Sequence, residues 1–295
     1  MLITVRMAAV RRVGAALALS VTLAGVGVAP VGADPLNYSA SLTTQFADVG
    51  GTDLALGLGV SSPTGYFVDG YVARSDTRST SEPLDPRFWS ATVGKRFGAW
   101  SVSVGYRDFE DGLQVATQDV AAELGWLSNR TSLSLSVSQG AADETYEIVT
   151  VNRTLARTVA TDRLAVGLNG AVDVSERLTL SAGMKRYEYD QPEAPLASLP
   201  RLQALLRSNV FTAQQGLIDL SWNAGASWRF NRLSVSADFG RSRSRDDGIE
   251  SDDLSIGLDM PISMRWSLSL GAGRYTTPDF DPTNYASVGI RLRGP

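Results

Sequence analysis

From Leu36 to Arg293 the chain alternates apolar with small polar residues at every second position, in fourteen separate stretches. A two-residue beat of this kind is a β-strand with one apolar and one polar face. The stretches are 36–46, 53–60, 66–75, 88–97, 100–109, 115–126, 131–140, 160–172, 178–189, 215–228, 233–243, 253–260, 266–275 and 284–293. Most run close to the roughly 9–11 residues that cross a bilayer at a tilt. They exceed the five or six or so that are usual in soluble sheets.

The connections alternate short and long. The short ones are "SSPTG" (61–65), "GA" (98–99), "LSNR" (127–130), "DVSER" (173–177), "RFNR" (229–232) and "PISMR" (261–265). Most of those between are longer: "DTRSTSEPLDPR" (76–87), 141–159, 190–214 and "SRDDGIESDD" (244–253). Tight turns at one end and long loops at the other predict a transmembrane antiparallel up-and-down β-barrel, its turns periplasmic and its loops outside. An even strand number places both termini on the periplasmic side. Trp100, Trp126, Trp228 and Trp266 flank short turns, as an interfacial aromatic girdle does. The segment 144–160 also alternates, and reads as an extension of the seventh and eighth strands into a protruding hairpin; counted as a membrane hairpin it raises the number to sixteen, and twelve is the count on the other side.

Each strand's polar phase is mostly serine, glycine and alanine, as in Ser132, Ser134, Ser136 and Ser138 or Ser267, Ser269 and Gly271. The solvent face of a soluble sheet carries lysine, glutamate and arginine instead. Small residues suit a curved interior. The leucine and valine phase, Leu133, Leu135 and Val137 for example, therefore faces lipid, and the serine phase faces a wet lumen.

Across residues 34–295 this pattern resembles the bacterial outer-membrane β-barrel class of Gram-negative bacteria, and in strand count and size the monomeric fourteen-stranded porins. The resemblance implies an outer-membrane location, surrounding lipid, and the barrel-assembly machinery as a partner during biogenesis. It carries no family-specific motif, so no functional residue transfers. The C-terminus "YASVGIRLRGP" departs from the class in lacking a terminal aromatic residue.

Residues 1–33 read as a cleaved secretory signal: Arg6, Arg11 and Arg12, then an apolar alanine-rich run, then "VGA" before Asp34. Setting them aside lowers Lys+Arg from 27 to 24 against 31 acids, a net charge near −7. That argues against nucleic acid. The remainder reads as one domain. There is no cysteine and no histidine, so the expectation is no disulfide, no transition-metal site and no cofactor. The resemblance brings outer-membrane lipases, acylases and proteases into view, but those mechanisms generally use histidine. Asp119 and Glu123 share a phase, yet four residues of strand separate them by about 13 Å, beyond the carboxylate pairs of glycosidases. The chain reads as a non-enzyme. The acidic stretches "RDDGIESDD" and "PDFDPTN" match no EF-hand loop and read as solvated.

The polar phase also carries Asp53, Asp69, Arg96, Arg107, Asp119, Glu123, Arg163, Lys185, Asp219, Asp238, Asp259 and Arg291, with acids in slight excess. Charges in a dry interior would be costly, so the lumen is hydrated or networked. Arg96, Arg107, Asp119, Glu123, Arg163, Lys185, Asp219 and Asp238 are the candidates for a constriction, either setting a transverse field or pairing to stiffen the wall. The acidic excess predicts a weak preference for cations. Between 194 and 215, Leu199, Leu202, Leu205 and Leu206 fall at helical spacing after Ser198 and Pro200, a candidate gate or plug. The expected function is a channel for small polar solutes. The alternative is a non-conducting barrel that serves as a binding, assembly or surface partner, its lumen plugged by 190–214.

Overall fold

The computed structural model describes residues 36–48, 51–77, 86–110, 115–150, 153–190, 217–245, 248–278 and 281–294. The segments 1–33 and 190–214, with Leu199, Leu202, Leu205 and Leu206, lie outside these residues apart from Asp190. Fourteen strands form: β1 (Asn37–Ala47), β2 (Gly51–Ser61), β3 (Tyr66–Thr77), β4 (Arg87–Phe97), β5 (Trp100–Glu110), β6 (Val115–Leu127), β7 (Thr131–Thr150), β8 (Arg153–Asp173), β9 (Leu178–Tyr189), β10 (Ile218–Phe230), β11 (Leu233–Ser244), β12 (Glu250–Pro261), β13 (Trp266–Thr276) and β14 (Thr283–Arg293). Each pairs antiparallel with its neighbours in sequence, and β1 pairs with β14 to close the barrel. The seam runs from Ser39 opposite Arg293 to Ala47 opposite Tyr285. Just beyond it the Asp48 carboxylate accepts from the Asn284 backbone at 3.1 Å and from its side-chain amide at 2.7 Å. Fourteen is the strand number; the residues after Glu144 lengthen β7 and β8 rather than adding strands.

The tight turns follow from local chemistry. Gly98 (φ 61°) and Asn231 (φ 49°) supply the left-handed backbone that two-residue hairpins need. Four other turns use a serine hydroxyl as acceptor. Ser62 takes the Tyr66 amide at 3.1 Å, and Ser128, Ser175 and Ser263 take those of Thr131, Leu178 and Trp266 at 3.0–3.1 Å. This is the Ser/Thr-turn device, which closes a hairpin without glycine.

The beat assigns the faces as expected. Leu54, Leu56 and Leu58 of β2, Val102 and Val104 of β5, and Leu133, Leu135 and Val137 of β7 lie on the outside and are exposed. Water would not tolerate such a continuous apolar belt on a monomer; hydrocarbon accepts it, because closure leaves no strand edge unpaired. At the turn end Trp100 stands opposite Trp126, with Trp228 and Trp266 exposed at a similar distance from their turns. At the loop end Trp89 packs on Tyr106 and Trp222 on Phe239, with ring centroids 5.0 and 5.2 Å apart. The two aromatic levels bound the apolar belt.

Candidate functional site

The inward phase carries the chemistry. On β5–β9, Arg107 stands directly opposite Asp119, which is followed across the next two ladders by Gly140 and Arg163. Gly140 has no side chain to fill the gap, and a Cβ there would collide with the Gln118 carbonyl and the Asp119 carboxylate. Arg163 therefore reaches over β7 and grips Asp119 with both fork nitrogens. Nε donates to Oδ1 at 2.7 Å and Nη2 to Oδ2. Both side chains are buried, at 2% and 6% exposure, where a bidentate fork gives the best geometry a carboxylate can find. Beside the pair, the Tyr187 ring lies near two cations, with Arg163 at 5.7 Å and Lys185 at 4.6 Å from its centroid. Lys185 is within electrostatic reach of Arg107, Asp119 and Arg163.

In the ring order, β12 lies opposite β5, and β2 opposite β9. That far wall carries Asp53 on β2, Asp69 on β3, Asp238 on β11, and Asp253 and Asp259 on β12, with Arg291 among them on β14. Asp253 accepts from the Tyr285 hydroxyl at 2.9 Å. Asp238 packs beside Gly225, where a Cβ would strike its carboxylate. With Asp119 and Arg163 paired, Arg107 and Lys185 remain on β5–β9, Glu123 sharing their wall toward the turns, and Asp53, Asp238 and Asp253 lie across the ring. Among the described residues Arg107 and Asp238 make no hydrogen bond or ion pair.

Wetness differs along the axis. Toward the turns, Glu123, Asn169, Asn223 and Asp238 are exposed. Toward the loops, Phe88, Phe109, Tyr187, Tyr275 and Thr283 are buried, and they come from five strands spread around the ring. Among the described residues the luminal side chains therefore pack together toward the loops and stand open toward the turns.

Of the candidate lumen residues, Arg107, Asp119, Arg163 and Lys185 come together. Glu123 and Asp238 line the wet half, and Arg96 sits near the turn end, its guanidinium 5.1 Å from the Phe67 ring centroid. Asp219 is a correction: it faces outward. The β10–β11 register slips between Ile218 and Leu220, so the extra residue turns onto the lipid side while Ile218 packs inward on Ala165 and Tyr187. There Asp219 accepts two bonds from Arg243, at 2.9 and 2.6 Å. Arg241 beside it is held by Asp252 and Glu250 at 2.6 and 3.0 Å. No alternation pattern reveals a bulge, because a bulge is the one place where alternation fails. Sequence reasoning also missed Asp253, whose phase in "SDDLSIG" was legible from Ser255 and Gly257. Among the described residues no group of three or more acidic side chains is placed to hold a metal ion.

A closed antiparallel barrel that is apolar outside and charged inside defines the fold of a bacterial outer-membrane β-barrel. Solved structures similar to it include a loop-deleted OmpT, an outer membrane protein of Vibrio cholerae, at 9% identity and TM-score 0.52, covering 88% of this chain and 98% of that one. The CymD monoaromatic hydrocarbon channel is similar at 12% identity and TM-score 0.53, covering 89% of each chain. The likeness is one of fold. No family model matches the sequence, and neither does any curated protein.

Proposed function

We infer that the protein is a non-enzymatic, monomeric outer-membrane channel passing small hydrophilic solutes by diffusion, with its turn end and both termini in the periplasm. One observation carries this reading: with Asp119 and Arg163 paired, Arg107 and Lys185 remain on β5–β9 with Asp238 and Asp253 across the ring, and among the described residues Arg107 and Asp238 make no hydrogen bond or ion pair. A wall that used its charges only to stiffen itself would neutralise them locally. Unpaired opposite charges across a pore orient a passing dipole and sort ions. Surrounding lipid satisfies the apolar belt, and folding into it calls for the barrel-assembly machinery.

The buried ring toward the loops supports a second reading, a barrel that does not conduct and acts as a binding or surface partner. Planar-bilayer conductance of the folded barrel, with and without residues 191–214, separates the two. The channel reading expects discrete conductance steps in the full chain and a changed step size or gating in the deletion. Conductance seen only after deletion favours the plugged barrel, and no conductance in either overturns the channel.

A further inference from the structure

Three turns at the same end of the barrel repeat one device. In "SNR", "SER" and "SMR" a serine opens the turn and an arginine closes it, at Arg130, Arg177 and Arg265. Each arginine's amide donates to the turn serine's hydroxyl, at 3.2–3.4 Å. Each one's carbonyl accepts from the neighbouring strand: from Asp173 at 2.7 Å, Arg229 at 2.7 Å and Arg293 at 2.8 Å. Arg177 therefore stands directly opposite Arg229, and Arg265 opposite Arg293. Arg229 and Arg293 lie on the luminal phase of β10 and β14, so both pairs border the mouth. Like charges directly opposed across a ladder repel. Among the described residues none of these four side chains makes a hydrogen bond or ion pair, and all four are exposed. Arg130, Arg177 and Arg229 also line a cavity of about 160 Å³ together with Asp173, Glu176 and Thr179. The three arginines outnumber the two acids of that cavity, and one of these, Asp173, also accepts from the Thr179 hydroxyl at 2.6 Å.

We propose that this mouth is an anion-binding site, in which the opposed arginine pairs Arg177/Arg229 and Arg265/Arg293 hold the carboxylate or phosphate groups of small solutes. Two forks on facing strands offer an oxyanion more donors than either provides alone, and a bound anion relieves the repulsion between them. The site's place in solute traffic rests on the channel reading; anion binding itself does not.

The test uses the full folded barrel in detergent at constant ionic strength, titrated separately with inorganic phosphate and with citrate. Tryptophan fluorescence is followed, since Trp228 and Trp266 adjoin Arg229 and Arg265, together with the denaturation midpoint. The expected result is a saturable signal and a raised midpoint. Arg177→Gln with Arg229→Gln, or Arg265→Gln with Arg293→Gln, should weaken binding about tenfold. Lys95→Gln should leave binding unchanged; Lys95 lies at the same end but faces outward, donating to the Tyr66 hydroxyl at 3.0 Å. A folded barrel with no saturable response to either anion overturns the proposal, as does an undiminished response in both double variants. A barrel that binds phosphate yet never conducts removes the channel reading and leaves this site standing.

Discussion

At the scale of single residues, the Asp119–Arg163 pair decides how the lumen charges add up. Counted along the sequence, the two contribute an acid and a base to a slight acidic excess. In the fold they cancel, and what remains on that wall is Arg107 and Lys185, with Glu123 toward the turns. The inward direction of each was legible from alternation. Their union was not, because 44 residues separate them in sequence and the contact depends on Gly140 being bare. The cation preference expected from the count rests on a sum taken without regard to level or pairing; the fold cancels Asp119 against Arg163, sets Arg291 among the acids of the far wall and adds a further set of arginines at the mouth. Breaking the pair one side at a time should be severe. Arg163→Gln or Asp119→Asn should each lower unfolding free energy in lipid vesicles by about 3–5 kcal/mol. Replacing both with apolar residues of similar volume should cost much less. Gly140→Val should resemble the single variants, since it displaces the Asp119 carboxylate.

Elements obey rules that were partly written in the chain. Strand existence, phase and number followed from the beat, and turn positions followed from connection length. The extent of β7 and β8 was open, because nothing in "ETYEIVTVNRTLARTVA" (144–160) interrupts alternation once the membrane ends. The register shows where they leave the barrel: β6 accompanies β7 only to Glu144, and β9 accompanies β8 only from Arg163. Beyond that the hairpin runs about 20 Å further at 3.3 Å per residue, held by its own ladder alone. Excising residues 145–158 and joining the ends with a short glycine-rich turn should leave the strand circular-dichroism signal and the unfolding midpoint near wild type. A large loss of stability would show that the projecting ribbon braces the wall. The Asp219 bulge is the counter-example at this scale. It re-aims one side chain toward Arg243, and it was invisible to a method built on regular alternation.

For the molecule as a whole, the decisive distinction was which face meets hydrocarbon. Serine-rich luminal phases and leucine-rich outer ones are legible in the sequence, and so is the two-ended arrangement of turns and loops. How the luminal side chains pack together toward the loops is not, since that depends on which side chains from distant strands share a level. Membrane immersion of the belt makes a sharp prediction. Leu135→Arg, in the apolar belt of β7 and facing outward, should cost about 2–4 kcal/mol in a lipid-folding titration, whereas Ser134→Arg, facing the bore, should cost far less. Equal penalties would mean that the belt is not in hydrocarbon.

The seam between β1 and β14 has a consequence of its own. The first strand's outer neighbour is the last one synthesised, so a nascent or truncated chain carries two bare edges, each able to recruit a stranger. Lipid cannot satisfy those edges, and no partial cylinder has a resting place within it. Insertion and completion of the wall are therefore one event: a chain lacking its final dozen residues should be found aggregated or degraded, never as a thirteen-stranded pore.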